Sequence, residues 1–277
     1  MSTFIQKEIL QELMSNEEVR MVDCRFQLGK PDEGKSQYLL GHIPGAVYFH
    51  LEEDLSAIVE KHGGRHPLPD IEQFKSLLEE AGISNDTKVV AYDNGEGAFA
   101  ARLWWLLTYI GHEKVYILNG GFKDWQHVGL PVTQSIPNYK RGSYTVNIQQ
   151  HMLAEHEEVR EAVSAKTHVL IDSREEKRYL GIEEPIDKKA GHIPGAINKV
   201  WTKSFEDGKF KTPADQEKRF EDIEKTQSII VYCGSGITAT PNFIALKEAG
   251  YMNVKLYGGS FSDWISYDDN EINSINK

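Results

Sequence analysis

Two short runs, residues 89–92 (Val-Val-Ala-Tyr) and 229–232 (Ile-Ile-Val-Tyr), interrupt the mixed polar and apolar text around them. Brief β-branched and aromatic runs of this kind suit strands covered on both faces, which lie centrally in parallel sheets. A glycine-rich turn follows each run, and then an apolar-periodic segment, 99–110 in one case and 241–249 in the other, that predicts a helix. Gly111 and Gly250 stand just past the last turns, where a left-handed C-terminal cap favours glycine. At the N-terminus Gln6, Lys7, Glu8, Gln11 and Glu12 interleave with Ile5, Ile9, Leu10 and Leu13, a pattern that predicts an amphipathic helix and not a signal peptide.

The two strand-turn-helix segments belong to an internal duplication. The hexapeptide Gly-His-Ile-Pro-Gly-Ala begins at Gly41 and again at Gly191. Val22-Asp23-Cys24-Arg25 answers Ile171-Asp172-Ser173-Arg174, and Gly120-Gly121-Phe122-Lys123-Asp124-Trp125 answers Gly258-Gly259-Ser260-Phe261-Ser262-Asp263-Trp264 with one residue inserted. The period is too long for a solenoid. The expected fold is therefore α/β in two tandem domains, 1–133 and 149–277, each a central mainly parallel sheet flanked by helices. Residues 134–148 carry Pro137, Asn138, Lys140, Arg141 and Gly142 without periodicity and read as the linker.

Composition narrows the function. With 277 residues, 40% hydrophobic and 26% charged, the chain has the make-up of a soluble globular protein, and its longest apolar runs fall far short of a membrane span. A net charge of −11 opposes a broad nucleic-acid surface and would slow anionic substrates at long range, so anion binding has to be local. Two cysteines are too few for a disulfide framework or a cysteine-rich zinc site; a reduced compartment, the cytoplasm, is expected.

Each cysteine must then be judged as chemistry. Cys24 sits in an expected strand with a packing pattern around it. Cys233 begins the turn Cys233-Gly234-Ser235-Gly236-Ile237-Thr238-Ala239, between a buried strand and a helix. Ligands of open parallel sheets bind outside the carboxyl ends of the strands. The two glycines let backbone N–H groups converge, and such a nest, with the positive end of the following helix, favours the nucleophilic thiolate. Cys233 is the expected covalent nucleophile, and the amides of Gly234, Gly236, Ile237 and Thr238 are the expected contacts of a bound anion. The first copy has Asp93 at that position, in Asp93-Asn94-Gly95-Glu96-Gly97. A carboxylate is no sulfur nucleophile, and two acidic residues there would repel an anion, so the first copy reads as catalytically silent.

Both hexapeptides, both Gly-Gly…Asp-Trp endings, Ala101-Arg102-Leu103-Trp104-Trp105 and the cysteine loop together resemble the tandem rhodanese family of thiosulfate and 3-mercaptopyruvate sulfurtransferases, over nearly the whole chain. The resemblance implies that Cys233 takes sulfur from a small anionic donor, becomes a persulfide and passes the sulfur to a thiophilic acceptor such as thioredoxin, another dithiol or cyanide. It implies no metal and no cofactor, and no nucleic-acid or membrane partner is expected. Gly234 and Ser235 follow the mercaptopyruvate pattern, not the Arg and Lys of thiosulfate-preferring members. The resemblance further assigns Ser235, His66 (in Gly63-Gly64-Arg65-His66-Pro67-Leu68-Pro69) and Glu52 to a Ser-His-acid arrangement, the last two from the first domain, with Glu52 in place of the family's Asp. Arg178 matches an anion-binding arginine suited to the substrate carboxylate, and Arg65 is a second candidate contact. The further arginine that mercaptopyruvate enzymes often carry downstream is missing from Glu184-Pro185-Ile186-Asp187. His42 and His192, present in both copies, read as parts of the turn.

Two other classes remain in view. Phosphatases on a related fold end a longer cysteine loop in a phosphate-binding arginine, but here the sixth position after Cys233 is Ala239 and no arginine follows through Ala249. A regulatory module without catalysis fits the first half better than the second, where the cysteine loop is intact.

Overall fold

A computed structural model describes residues 2–14 and 18–275. The chain divides into two units. The first comprises Met1–Ala57, Pro69–Gln149 and Asp207–Phe210, and the second Ile58–Leu68, Gln150–Glu206 and Lys211–Lys277. The arm 58–68, which precedes the second copy of the repeat by sequence, thus counts with the second unit.

The first unit is built on β1 (Phe4–Ile5), β2 (Val19–Asp23), β3 (Ala46–Tyr48), β4 (Lys88–Tyr92) and β5 (Val115–Leu118), in the order β1-β5-β4-β2-β3. The second repeats it with β6 (Leu153–Ala154), β7 (Val169–Asp172), β8 (Ile197–Asn198), β11 (Ile229–Tyr232) and β12 (Val254–Tyr257), in the order β6-β12-β11-β7-β8. The short strands β9 (Phe205–Glu206) and β10 (Lys209–Phe210) fall outside both sheets. Every pairing in the two sheets is parallel. The expected central strands are β4 and β11, and both are the middle strand of their sheet. In each, the residues covered on both faces are buried, as the unbroken apolar runs require.

The helices after them span Ala98–Tyr109 and Thr240–Glu248. Their ends match the expected caps: Gly111 and Gly250 adopt φ of 86° and 88°. Gly111 donates to the Thr108 carbonyl and His112 to Leu107, while Gly250 donates to Lys247 and Tyr251 to Leu246, the paired bonds of a Schellman ending. At the N-terminus the helix is Lys7–Leu13, shorter than its polar pattern suggests, because Phe4–Ile5 pairs as an edge strand with Ile117 and Leu118.

The repeated Asp-x-Arg segments are buried ion pairs. Arg25 binds Asp23 through Nε and Nη2 and donates to the Gly41 carbonyl at 2.7 Å; Arg174 binds Asp172 and donates to the Gly191 carbonyl at 2.6 Å. Each guanidinium lies over a phenylalanine of the Gly-Gly…Asp-Trp ending, Phe122 or Phe261, 4.0 Å from the ring centre. The three repeated motifs therefore meet around one charge pair in each unit. His42 and His192 stack on Tyr38 and Tyr179 and bond their carbonyls, consistent with a part in the turn.

Residues 134–148 have no helix or strand, but they are tied along the first unit. Tyr139 donates to the Gly45 carbonyl, Gly142 to Glu79, and Asn147 to Ile110, and Arg20 lies over the Tyr139 ring. The aromatic and amide anchors explain why a stretch with no periodicity is still held.

In the first unit the loop after β4 closes on its own anion. Asp93 Oδ1 accepts from the amides of Gly95 and Gly97 at 2.9 Å, and Oδ2 from Phe99 at 3.1 Å and Ala100 at 3.2 Å. Besides the repulsion expected of two acidic residues, the loop's amides are already occupied by the Asp93 carboxylate, although burial raises its pKa. Replacing Asp93 by alanine strands these donors inside the protein, so Asp93→Ala should destabilise the first unit by roughly 2–4 kcal/mol. Thermal denaturation followed by circular dichroism will register this as a lowered Tm, with a smaller drop for Asp93→Asn, which keeps an acceptor.

Candidate functional site

Cys233 directly follows β11 and is buried, 1% exposed. Its amide donates to Ser260 Oγ at 3.1 Å, its carbonyl accepts from Phe261 at 3.0 Å, and the Gly234 carbonyl accepts from Ser262 at 2.9 Å. The second Gly-Gly…Asp-Trp segment thus clamps the loop from behind, as Phe122 does for Asp93 in the first unit at 2.7 Å. Gly236 turns the loop with φ of 78°, and a Cβ there would stand 2.2 Å from the Gly258 carbonyl oxygen. Only glycine fits both demands.

Gly234 leaves space that two flexible side chains take up. A Cβ built on it would meet Arg65 Nη2 at 2.8 Å and Arg178 Nη2 at 3.4 Å. Two guanidiniums therefore occupy the space that a side chain after the cysteine would fill, and positive charge reaches Cys233 from other segments. Burial lowers the pKa of Arg65, while the charge on Cys233 acts in the opposite direction.

Ser235, 7% exposed, and His66, 6% exposed, share a hydrogen bond of 2.8 Å between Oγ and Nδ1. His66 comes to the loop because the arm 58–68 is fastened to the helix Ser260–Trp264 and the turn after it. Gly63 donates to Asp263 Oδ1 at 2.7 Å, Arg65 donates to Ser262 Oγ at 3.1 Å, and His62 Nδ1 pairs with Ser266 Oγ at 2.7 Å while its ring stacks on Tyr267. Gly64, at φ of 83°, passes so close that a Cβ would lie 2.3 Å from the Gly259 carbonyl oxygen. Asp263 is itself held by Tyr257, whose hydroxyl donates to Oδ2 at 2.5 Å.

The structure thus joins Cys233, Gly234, Ser235, Gly236, Arg65, His66 and Arg178 in one place. Ile237 is buried, and its carbonyl accepts from both the amide and the hydroxyl of Thr240; Thr238 is half-buried beside it. Glu52 lies exposed in the first unit, where its amide donates to His50 Nδ1 at 3.2 Å. Arg178 does not present an open fork: Nε and Nη2 bind Glu184, and Nη2 also binds Asp187 at 2.8 Å. Arg65 Nη1 pairs with the other oxygen of Asp187.

Sequence reasoning missed the arm's anchors, His62, Ser262, Asp263 and Ser266. A signal was available in the Gly-Gly…Asp-Trp repeat: its aspartate binds Lys7 at 2.6 Å in the first unit, as Asp124, and the arm in the second, as Asp263. Cys24, immediately after β2, differs from Cys233 electrostatically. Burial, followed by the charges of Asp23, Asp93 and Asp54, pushes its thiol well above the ordinary value and keeps it protonated. Among the described residues no group of three His, Cys, Asp or Glu side chains could hold a metal ion, and no helix is long and apolar enough to cross a membrane.

Comparison with known proteins adds to this geometry. A model of the rhodanese-like domain matches residues 6–128 and 155–267. A probable 3-mercaptopyruvate sulfurtransferase of Pseudomonas aeruginosa is 39% identical over 259 residues, covering 91% of each chain. The thiosulfate sulfurtransferase of Bos taurus is 34% identical over 256 residues, covering 89% of this chain and 84% of the other. The crystal structure of SseA from Escherichia coli, described with the catalytic mechanism of 3-mercaptopyruvate sulfotransferases, superposes with a TM-score of 0.85 at 33% identity, over 95% of this chain and 100% of that one.

The arm's dependence on Asp263 can be measured without any substrate. In Asp263→Ala the amide of Gly63 loses its carboxylate acceptor, a bond to a charged group that contributes about 1.5–3 kcal/mol. Hydrogen exchange at residues 62–66 should then accelerate by about tenfold or more, with exchange in β11 little changed.

Proposed function

Both halves of this chain belong to the rhodanese-like family, and on that premise we propose that it is a sulfurtransferase that moves sulfur from 3-mercaptopyruvate through a Cys233 persulfide to a thiol acceptor. The observation that carries the reading is the meeting of Cys233 with the Ser235–His66 pair and two guanidiniums at the end of the central strand.

The reaction follows from the chemistry of these groups. The Cys233 thiolate attacks the donor's thiol sulfur, an S–S bond forms, and the C–S bond breaks. Its electron pair leaves as the enolate of pyruvate. The proton of the donor thiol ends on the enolate carbon, and Ser235 with His66 relays it, a role suited to a buried hydroxyl in contact with an imidazole. The outer persulfide sulfur carries the negative charge, which the amides of the glycine loop and the nearby guanidiniums favour. An acceptor thiol, from thioredoxin or another dithiol, or cyanide then attacks that sulfur, the S–S bond breaks and the Cys233 thiolate returns.

Mercaptopyruvate is preferred over thiosulfate on local grounds. A proton relay serves an enolate leaving group, whereas sulfite leaves thiosulfate without needing a proton. The arginine and lysine that thiosulfate-preferring members place after the cysteine are here Gly234 and Ser235. Glu52 is a further proposed element, orienting His66 as the acid of the arrangement.

Steady-state kinetics will test the reading. The wild type should show kcat/KM at least about tenfold higher for mercaptopyruvate than for thiosulfate, and a reversed preference refutes the donor assignment. Loss of a general acid-base group typically lowers rates by about 10²–10⁴-fold, so Ser235→Ala and His66→Ala should each lower kcat for mercaptopyruvate by about 10²-fold or more. Intact mass after donor treatment should show one added sulfur, absent from Cys233→Ser; transfer that survives in that variant refutes the covalent step.

A further inference from the structure

Beside the Cys233 loop, three guanidiniums and three carboxylates form one connected cluster. Arg174 pairs with Asp172 and Glu184, Arg178 with Glu184 and Asp187, and Arg65 with Asp187. The carboxylates are almost fully enclosed: the side chains of Asp172, Glu184 and Asp187 are 0%, 4% and 2% exposed. Glu184 also shapes the loop that carries Asp187, since its Oε1 accepts from the amides of Ile186 at 3.1 Å and Asp187 at 2.9 Å. Asp172 and Glu184 thus have structural partners in Arg174 and the backbone. Asp187 is different. Each of its two oxygens takes one of the guanidiniums that crowd Gly234, the residue next to the nucleophile.

We propose that Asp187 is a specificity-determining residue, a built-in carboxylate that neutralises Arg65 and Arg178 beside Cys233 and so sets the charge of the donor the site accepts. The formal charges of the six side chains cancel, so a donor meets guanidiniums whose charge is already answered. A monoanionic donor adds one charge to this neutral cluster, whereas a dianionic donor such as thiosulfate adds two, and in an enclosed, weakly screened site the larger excess is the less favourable. The discrimination comes from a repulsive element, which acts whether or not the accepted donor gains a new contact. Asp187 does not touch the reacting sulfur in this scheme; it acts through the two arginines.

This inference rests on the donor reading above, and its test separates the two. Asp187→Asn keeps the shape and removes the charge. It should raise the ratio of kcat/KM for thiosulfate to that for mercaptopyruvate by about tenfold, through a lower KM for thiosulfate. The gain should shrink as ionic strength rises. Asp187→Glu keeps the charge and should hold the ratio near that of the wild type, and a thermal melt of each variant reports its fold. An unchanged ratio in folded Asp187→Asn, or an equal rise in Asp187→Glu, overturns the proposal. Calorimetric titration with sulfate and with pyruvate asks the same question without turnover: Asp187→Asn should tighten sulfate about tenfold more than pyruvate. If the wild type turns over neither donor while sulfate alone tightens, the sulfurtransferase reading fails and the charge selection stands; equal tightening of both anions overturns the selection.

Discussion

Amides that leave the end of a central parallel strand and turn toward a helix need an acceptor, and how each unit meets that need decides what it can do. In the first unit the acceptor is covalently part of the loop: Asp93 binds four amides and its site is complete without a ligand. In the second unit Cys233 holds the equivalent position, and residues 234–239 contain no carboxylate. The same sheet, with the same strand order, thus carries one loop closed on an internal anion and one in which the proposed reaction generates the anion on sulfur.

The surroundings of the two loops are built from the same parts. The Asp-x-Arg pair, the Gly-His-Ile-Pro-Gly-Ala turn and the Gly-Gly…Asp-Trp ending converge behind each loop, and a phenylalanine amide from the ending holds the carbonyl of residue 93 or 233. Buried ion pairs of this type add little net stability, but removing one partner leaves an uncompensated charge, so the pieces are retained or lost together. What distinguishes the second unit is the arm 58–68. Asp263, Ser262 and Ser266 fasten it, and it delivers His66 to Ser235 and Arg65 to Gly234.

Charge in the site comes from segments far apart in sequence. Rather than placing a cation directly after the cysteine, the molecule fills the space over Gly234 with guanidiniums from residues 65 and 178. An arrangement of this kind can be adjusted at a distance, by altering the carboxylates that pair with those guanidiniums, without touching the loop that carries the nucleophile.

The sequence by itself determined the duplication, the central strands, the helix ends at Gly111 and Gly250, and the candidate nucleophile. These are local matters: periodicity, β-branching and the glycine φ at a cap are set by neighbours along the chain. The pairing of Ser235 with His66 was implied only by the resemblance to the family, because no local pattern joins two residues 169 positions apart. Three things were decided only by tertiary structure. The loop around Asp93 is closed by the amides of residues up to seven positions on, and sequence cannot say whether a carboxylate turns inward to meet them or outward to repel. The arm 58–68 joins the second unit through single hydrogen bonds to residues about 200 positions away, which no local pattern encodes. Arg178, legible as an anion-binding side chain, has its fork engaged by Glu184 and Asp187, because the loop after its short helix folds back on it. A side chain's chemistry can be read from its identity, but its partner is fixed by which distant segments the fold brings within about 3 Å of it.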